Sequence, residues 1–339
     1  MSGAAVVPPR NIRRTVRWIG VGLAVVFVTI AALMWHADSP PTPFDPVALN
    51  VERAKARGQS VVIGQTLTQT NIELVRTLLD KRGGYLSNDI LPPGVLMDNM
   101  PNWEFGVLVQ VRDLSRFLRG EFSKSQTQST EDRDLAEAEP HFAFSNDRWL
   151  LPSSESEYRA GIERTEAYLV RLADEDQLDA QFFARSDNLA LYLGEVERRL
   201  GNLSKRLSES VARDEQDLSL SRDANASQST PTPTERHRQT PWNGIDDVFY
   251  EARGASYAQV HILKAIDHDF ARILEDKNAR ITLQQVIREL EAAQEPVHSP
   301  LILNGSPYGF FANHSLVLAN YISRANASIR DLRVMLERG

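Results

Sequence analysis

Residues 182–207 read FFARSDNLALYLGEVERRLGNLSKRL, and the spacing of their apolar side chains decides the fold class. Phe182, Leu189, Leu193, Val196, Leu200, Leu203 and Leu207 keep to steps of three, four and seven, which place side chains on one face of a helix. Glu195, Glu197, Arg198 and Arg199 fall mostly off that seam. A helix of this span runs about 40 Å, too long to bury its stripe except against other long helices.

The same seam returns on both sides. Leu67, Asn71, Leu74 and Leu78 form one stripe, and Val107, Val111, Leu114 and Leu118 a second. Tyr158, Ile162, Thr165, Leu169 and Leu172 make a third, opened by Ser153 or Ser154 with Glu157 at capping-box spacing from Ser154. Beyond residue 241 the pattern resumes at Ile245, Phe249, Ala252, Ser256, Gln259, Leu263, Ile266, Phe270 and Ile273. Small and polar residues in the middle of that stripe admit the close approach of a neighbour. A short helix is predicted through Leu283, Ile287 and Leu290, and a last long one through Leu318, Ile322, Ala325, Ile329, Leu332 and Leu336. Strand-like alternation is nearly absent. The expectation is all-α: about seven helices, packed as an elongated helical bundle with coiled-coil-like, heptad-patterned helices.

Ahead of these stripes lies a different signal. Trp18–Trp35 is 18 residues without a charge, about 27 Å as a helix and close to the roughly 30 Å hydrocarbon core of a bilayer. The two tryptophans bracket the run as interfacial aromatics do. Arg10, Arg13, Arg14 and Arg17 precede it with no acid among them, which predicts a cytoplasmic N-terminus and a large domain outside, the periplasm if the host is a Gram-negative bacterium. A cleaved signal peptide is the competing reading. It wants small residues at its cleavage site, and Ala37 has the bulky Trp35 two places before it, so an uncleaved single-pass anchor is preferred.

The expected division is 1–17 basic tail, 18–35 transmembrane helix, 36–43 Pro-rich spacer, 44–218 first helical region, 219–241 disordered linker and 242–339 second helical region packing on the first. Ser39-Pro40-Pro41-Thr42-Pro43 cannot continue a helix. Ser219–Pro241 is rich in Ser, Thr, Asn, Gln and Pro and reads as a linker, and 123–132 is polar enough to suggest a second mobile loop.

Composition excludes several functions. The 339 residues are 42% hydrophobic and 24% charged, a makeup suited to folding. The whole chain carries −7, and because its first 17 residues carry +4 the remainder carries −11. A surface that acidic repels phosphate backbones, and no basic stripe interleaves with aromatics, so no nucleic-acid partner is expected. With no cysteine, disulfides, thiolate nucleophiles and Cys-based metal sites are ruled out. His261 and His268 are two helical turns apart, about 10 Å, too far to share an ion, and neither HExxH nor HxxxH occurs. No Walker A, G-x-G-x-x-G or G-x-S-x-G motif is present. No metal and no cofactor is expected.

The least regular segment is 83–106, GGYLSNDILPPGVLMDNMPNWEFG, without helical period yet rich in Tyr, Leu, Met and Trp. Its functional reading is an ordered loop shaping a binding surface, with Tyr85, Asn88, Asp89, Asp98, Asn99, Trp103 and Glu104 as candidates. Its simpler reading is packing over the bundle, with Asn99 or Asn102 capping the next helix. Glu104, between Trp103 and Phe105, is the one candidate acid catalyst, with Asp89, Asp98 or Asp113 as a second carboxylate. A carboxylate in the first turn of a helix is also favoured by the helix dipole alone, and that reading is preferred. Residues 296–323 lack Asp, Glu, Lys and Arg; a core loop followed by a buried helix start is preferred there over a membrane-dipping or partner-binding patch.

The strings GGYLSND at 83–89, NMPNWEFGVLV at 99–109, QTQSTED at 126–132 and LPSSESEY at 151–158 resemble a proteobacterial inner-membrane family, domain of unknown function 2333. That resemblance implies a single-pass envelope protein and brings no activity, cofactor or catalytic residue with it. The expected function is a membrane-anchored scaffold or protein-interaction module in the periplasm that binds another envelope protein, or a second copy of itself, without catalysis. The alternative is a cell-wall or glycan-acting hydrolase or lyase using Glu104.

Overall fold

The computed structural model describes residues 10–124, 130–174, 179–211, 213–216, 235–299 and 301–338. Eleven α-helices occur among them: α1 (Arg10–Ala37), α2 (Pro46–Arg57), α3 (Gln65–Asp80), α4 (Asn99–Phe117), α5 (Arg133–Ala143), α6 (Ser154–Leu172), α7 (Ser186–Ser208), α8 (Ile245–Asp269), α9 (Ala271–Asp276), α10 (Arg280–Ala292) and α11 (His314–Glu337). The only strands described are a short antiparallel pair, β1 (Arg213–Gln216) with β2 (Glu235–Arg238), in register Arg213 to Arg238. This is the all-α fold that the stripes predict. The linker expected at 219–241 lies largely outside the described residues, as does the centre of the polar 123–132 loop.

The stripes bury as predicted. Leu189, Leu193, Val196, Leu200, Leu203 and Leu207 of α7 all lie in the core, and α11 packs along them. α8 is central, with Ala252, Ala255, Ser256, Ala258 and Gln259 buried under α4. Glycines make that contact possible: a Cβ at Gly254 would fall on the Trp103 carbonyl oxygen, and one at Gly106 would lie 2.8 Å from the Ala255 nitrogen. Side chains from both sides of the 217–234 gap share one apolar core.

The sequence stripes omitted α2 and α5 and ran α9, which holds Ile273, together with α8. Asp45 caps α2 by accepting from Val47 N at 2.9 Å and Ala48 N at 3.1 Å, Pro46 opens it, and Gly58 at φ 70° closes it. Asp132 caps α5 in the same way, and Pro140 inside that helix hid it from a periodicity reading. α6 is capped by Ser153, whose Oγ accepts from Ser156 N; the Ser154–Glu157 box is not used, and Ser154 Oγ instead donates to the Ser145 carbonyl at 2.7 Å.

Side-chain contacts fix which helix ends meet. α4 and α8 are parallel, since Trp103 meets Gly254 and Gln110 meets Gln259 at 2.7 Å. α3 is antiparallel to α8, with Leu67 N donating to Asp269 at 2.8 Å. α11 is antiparallel to α7, with Ser204 bonded to Ala319 near one end and Arg333 paired with Glu197 toward the other. One end of the bundle therefore gathers the C-termini of α3, α5, α7 and α10 and the N-termini of α4, α6, α8 and α11.

α1 leaves from that same end. Its Arg14–Ala37 portion, 24 residues or about 36 Å, is apolar enough to cross a membrane, and its side chains, such as Phe27, face outward. Only its last residue enters the core: Ala37 is 2% exposed against Leu86 and the Gly83 backbone. The Pro-rich stretch that follows is not a free spacer. The Thr42 carbonyl accepts from the Tyr257 hydroxyl at 3.2 Å, and Phe44 stacks on His261 with ring centres 4.1 Å apart.

Candidate functional site

The α3–α4 connection, residues 81–98, is built on a buried charge pair. Lys81 Nζ lies 2.6 Å from Glu104 Oε1, with the two side chains 1% and 0% exposed. Lys81 also donates to the Gly84 carbonyl. Glu104 accepts from Leu86 N at 2.9 Å, from Ser87 N at 2.9 Å and from Ser87 Oγ at 2.5 Å. Gly83 and Gly84, at φ 83° and 72°, supply the left-handed turn that brings these groups around the carboxylate. A Cβ at Gly83 would also lie 2.7 Å from the Ala37 Cβ, so this glycine lets the end of α1 dock.

Burial pushes the Glu104 carboxyl above its ordinary range, while Lys81 and the donors from Ser87 and Leu86 pull it back. A raised pKa was the property sought in an acid catalyst, but here its cause is enclosure. Both oxygens are engaged within the fold and the side chain reaches no solvent. The geometry gives the hydrolase alternative no support.

The structure divides the seven candidate residues. Four point inward. Tyr85 donates to the Asn146 carbonyl at 3.1 Å and meets Tyr158 edge-on; Asn88 donates to the Arg148 carbonyl at 2.9 Å and to Glu155 at 2.7 Å; Trp103 packs on Tyr257; Glu104 holds the turn. Asp89 and Asp98 face solvent, and Asn99 is half-buried. Asp98 is the N-terminal cap of α4, with neither Asn99 nor Asn102 in that position. Asn102 ties α4 to α8 by donating to Asp247 at 2.7 Å. Burial and the charge of Glu155 raise the Asp89 carboxyl, which sits against Gly94.

The two histidines have different partners. His261 is buried, with Nδ1 against the Tyr257 carbonyl at 2.7 Å and Nε2 accepting from Phe44 N at 3.0 Å. His268 is half-exposed beside Asp269 and Thr66. No group of three or more metal-ligating side chains occurs among the described residues.

A feature that sequence reasoning weighed only at 296–323, and missed elsewhere, is apolar and lies in loops at the end where α1 leaves. The α3–α4 loop exposes Leu91 and Leu96, at 71% and 58%; the α5–α6 loop exposes Trp149, Leu150 and Leu151; the turn before α8 exposes Trp242; the α10–α11 loop exposes Tyr308, Phe310 and Phe311. Local contacts hold each of these loops in place. Met34 and Trp35 of α1 line a cavity with Leu96 and Met97. Asn88 and Tyr85 bind the backbone of the α5–α6 loop. Thr240 N donates to the Glu209 carbonyl at 2.8 Å, and Asn304 donates to the Ser210 carbonyl at 2.5 Å. Arg253 gathers the carbonyls of Ala293, Gln294 and Glu295. The preferred reading of 296–323 as a core loop followed by a buried helix start holds for the start of α11, where Asn313, Ser315, Leu318, Ala319 and Ile322 are buried, and is corrected for the loop, where Val297 and Ile302 only lean on the core and Phe310 is 99% exposed. The chain there is a hairpin closed by the Asn304–Asn313 bridge and by backbone bonds from Gly305 N to Ala312 O and from His314 N to Leu303 O, which turn its tip outward without packing it on the bundle. Its sequence signal was aromatic residues in a Gly- and Pro-rich loop outside any helical period.

An all-α bundle with one apolar, unburied N-terminal helix, and with apolar loops at the end from which that helix leaves, defines the class of protein. A family model described as uncharacterized protein conserved in bacteria, DUF2333, matches residues 11–339, and the chain belongs to that family. Neither a curated protein nor a solved structure matches it.

Proposed function

We propose that this is a single-pass protein of the inner membrane, with its arginine-rich N-terminus in the cytoplasm and its helical domain in the periplasm, and that the domain works by holding another envelope protein, without catalysing a reaction. The observation that carries this reading is the junction at Ala37. A helix apolar enough to span a bilayer passes within one residue into the packed core of the domain. A leader destined for removal has no use for such a joint. Arg10, Arg13, Arg14 and Arg17 support the orientation. Protein binding is supported by how the α3–α4 loop is made: its inward polar groups hold its shape, which leaves Asp89 and Asp98 on a fixed outer surface.

The cysteine-free chain permits a direct test. Arg159→Cys, on an exposed face of α6, labels with a membrane-impermeant maleimide in cells whose outer membrane has been opened, and Ser2→Cys labels only after lysis. The opposite pattern overturns the orientation. Photo-crosslinkers placed at Asp89 and Asp98 give a discrete adduct with a second envelope protein. If the full-length protein yields no adduct at either position, or only one with its own copy, the partner reading fails.

A further inference from the structure

We infer that the loops around the exit of α1 form a foot that rests in the headgroup layer of the bilayer, so that the domain sits flat on the lipid surface. This rests on the reading of α1 as a membrane span. Leu91, Leu151, Trp242 and Phe310 come from four separate connections, and each is more than two-thirds exposed. By contrast, the connections at the opposite end, among the described residues, expose only Val61 and Ile63 as large apolar side chains.

A water-facing surface has no reason to sort its apolar side chains to one end. A membrane at that end supplies the reason, and α1 says where the membrane is. Trp35 closes the charge-free run and Ala37 is already in the domain core, so no slack separates lipid from protein. The residue types fit an interface, since Trp, Tyr and Phe place an apolar body toward the acyl chains and tolerate a wet rim. Asp89, Asp98 and Asp246 at the same end keep the foot at headgroup depth, because hydrocarbon would penalise their charge.

The test uses the full-length chain in nanodiscs of zwitterionic and anionic phospholipid, with nitroxides on single cysteines replacing Leu151, Trp242, Phe310, Phe27 or Ile281. Collision with dissolved oxygen reports lipid and collision with a water-soluble nickel complex reports water. The expected oxygen-to-nickel ratio at positions 151, 242 and 310 is several-fold above that at Ile281→Cys, which is exposed at the start of α10, and approaches that at Phe27→Cys. Ratios at the three loop positions equal to that at 281, with position 27 in lipid, overturn the inference and leave the span standing. Water-like behaviour at 27 as well overturns the span itself. Protection of the loop positions from both reagents means a protein covers them, a partner or a second copy, and also overturns the inference.

Discussion

Lys81 and Glu104 form an ion pair sealed from solvent at the point where the bundle meets the end of α1. Their partners within the loop are so arranged that neither charge can be removed alone without stranding the other. Breaking a buried pair in this way costs about 3–5 kcal/mol, whereas replacing both partners with well-packed neutral residues costs far less. Glu104→Gln and Lys81→Met are each expected to lower the unfolding free energy of the detergent-solubilised chain by about 3 kcal/mol, and the double variant to recover most of it. Urea titrations of the four proteins decide this, and additive losses would show that the two charges are not coupled.

His261 makes stability depend on pH. Burial lowers its pKa from 6.5 to about 4, and Nε2 must stay unprotonated to accept from Phe44 N. Because the folded pKa is the depressed one, the stability held by the neutral ring is complete above about pH 6.5 and is lost as pH falls toward 4. Between roughly pH 7.5 and 5 the loss is about 2 kcal/mol. His261→Gln, which keeps an acceptor without a titrating proton, should show a shallower decline across the same range. Parallel slopes for the two proteins would rule His261 out as the source.

The α4–α8 contact has no room for a methyl group. Gly254→Ala would drive its Cβ into the Trp103 carbonyl, and neither helix can yield without parting the Gln110–Gln259 bond. A loss of about 2 kcal/mol or more is expected, at the upper part of the range for overpacked cores. Gly120, with open space where a Cβ would stand, is the control, and Gly120→Ala should change stability little. Thermal unfolding of both variants separates close packing from a general intolerance of alanine.

Arg171 fastens α6 to the capped start of α5. Its guanidinium contacts Asp132 at 2.8 Å and Asp134 at 2.5 Å, with only 12% of the side chain exposed. Arg171→Lys keeps the charge and loses the planar fork, so a cost of about 1–2 kcal/mol is expected. Faster proteolysis at the start of α5 would accompany it. Unchanged stability and unchanged cleavage would mean that Asp132 holds the helix by its capping bonds alone.

Much of this architecture is legible in the sequence. A helix announces itself by local period, so the seams through Leu189–Leu207, Leu67–Leu78 and Leu318–Leu336 and the charge-free run from Trp18 to Trp35 determine elements by themselves, because each needs only its own neighbours in sequence. Short helices set by a cap, α2 at Asp45 and α5 at Asp132, stayed hidden because a cap is one or two hydrogen bonds and many Asp residues make none. Tertiary structure alone decided that Glu104 faces Lys81, that α4 and α8 run parallel, and that the loops carrying Leu91, Leu151, Trp242 and Phe310 lie at the same end of the bundle as the exit of α1. The physical reason is that period says which face of a helix is buried and is silent about which ends are neighbours. That choice belongs to long-range packing, and here packing separates a foot of apolar loops from the rest of the surface.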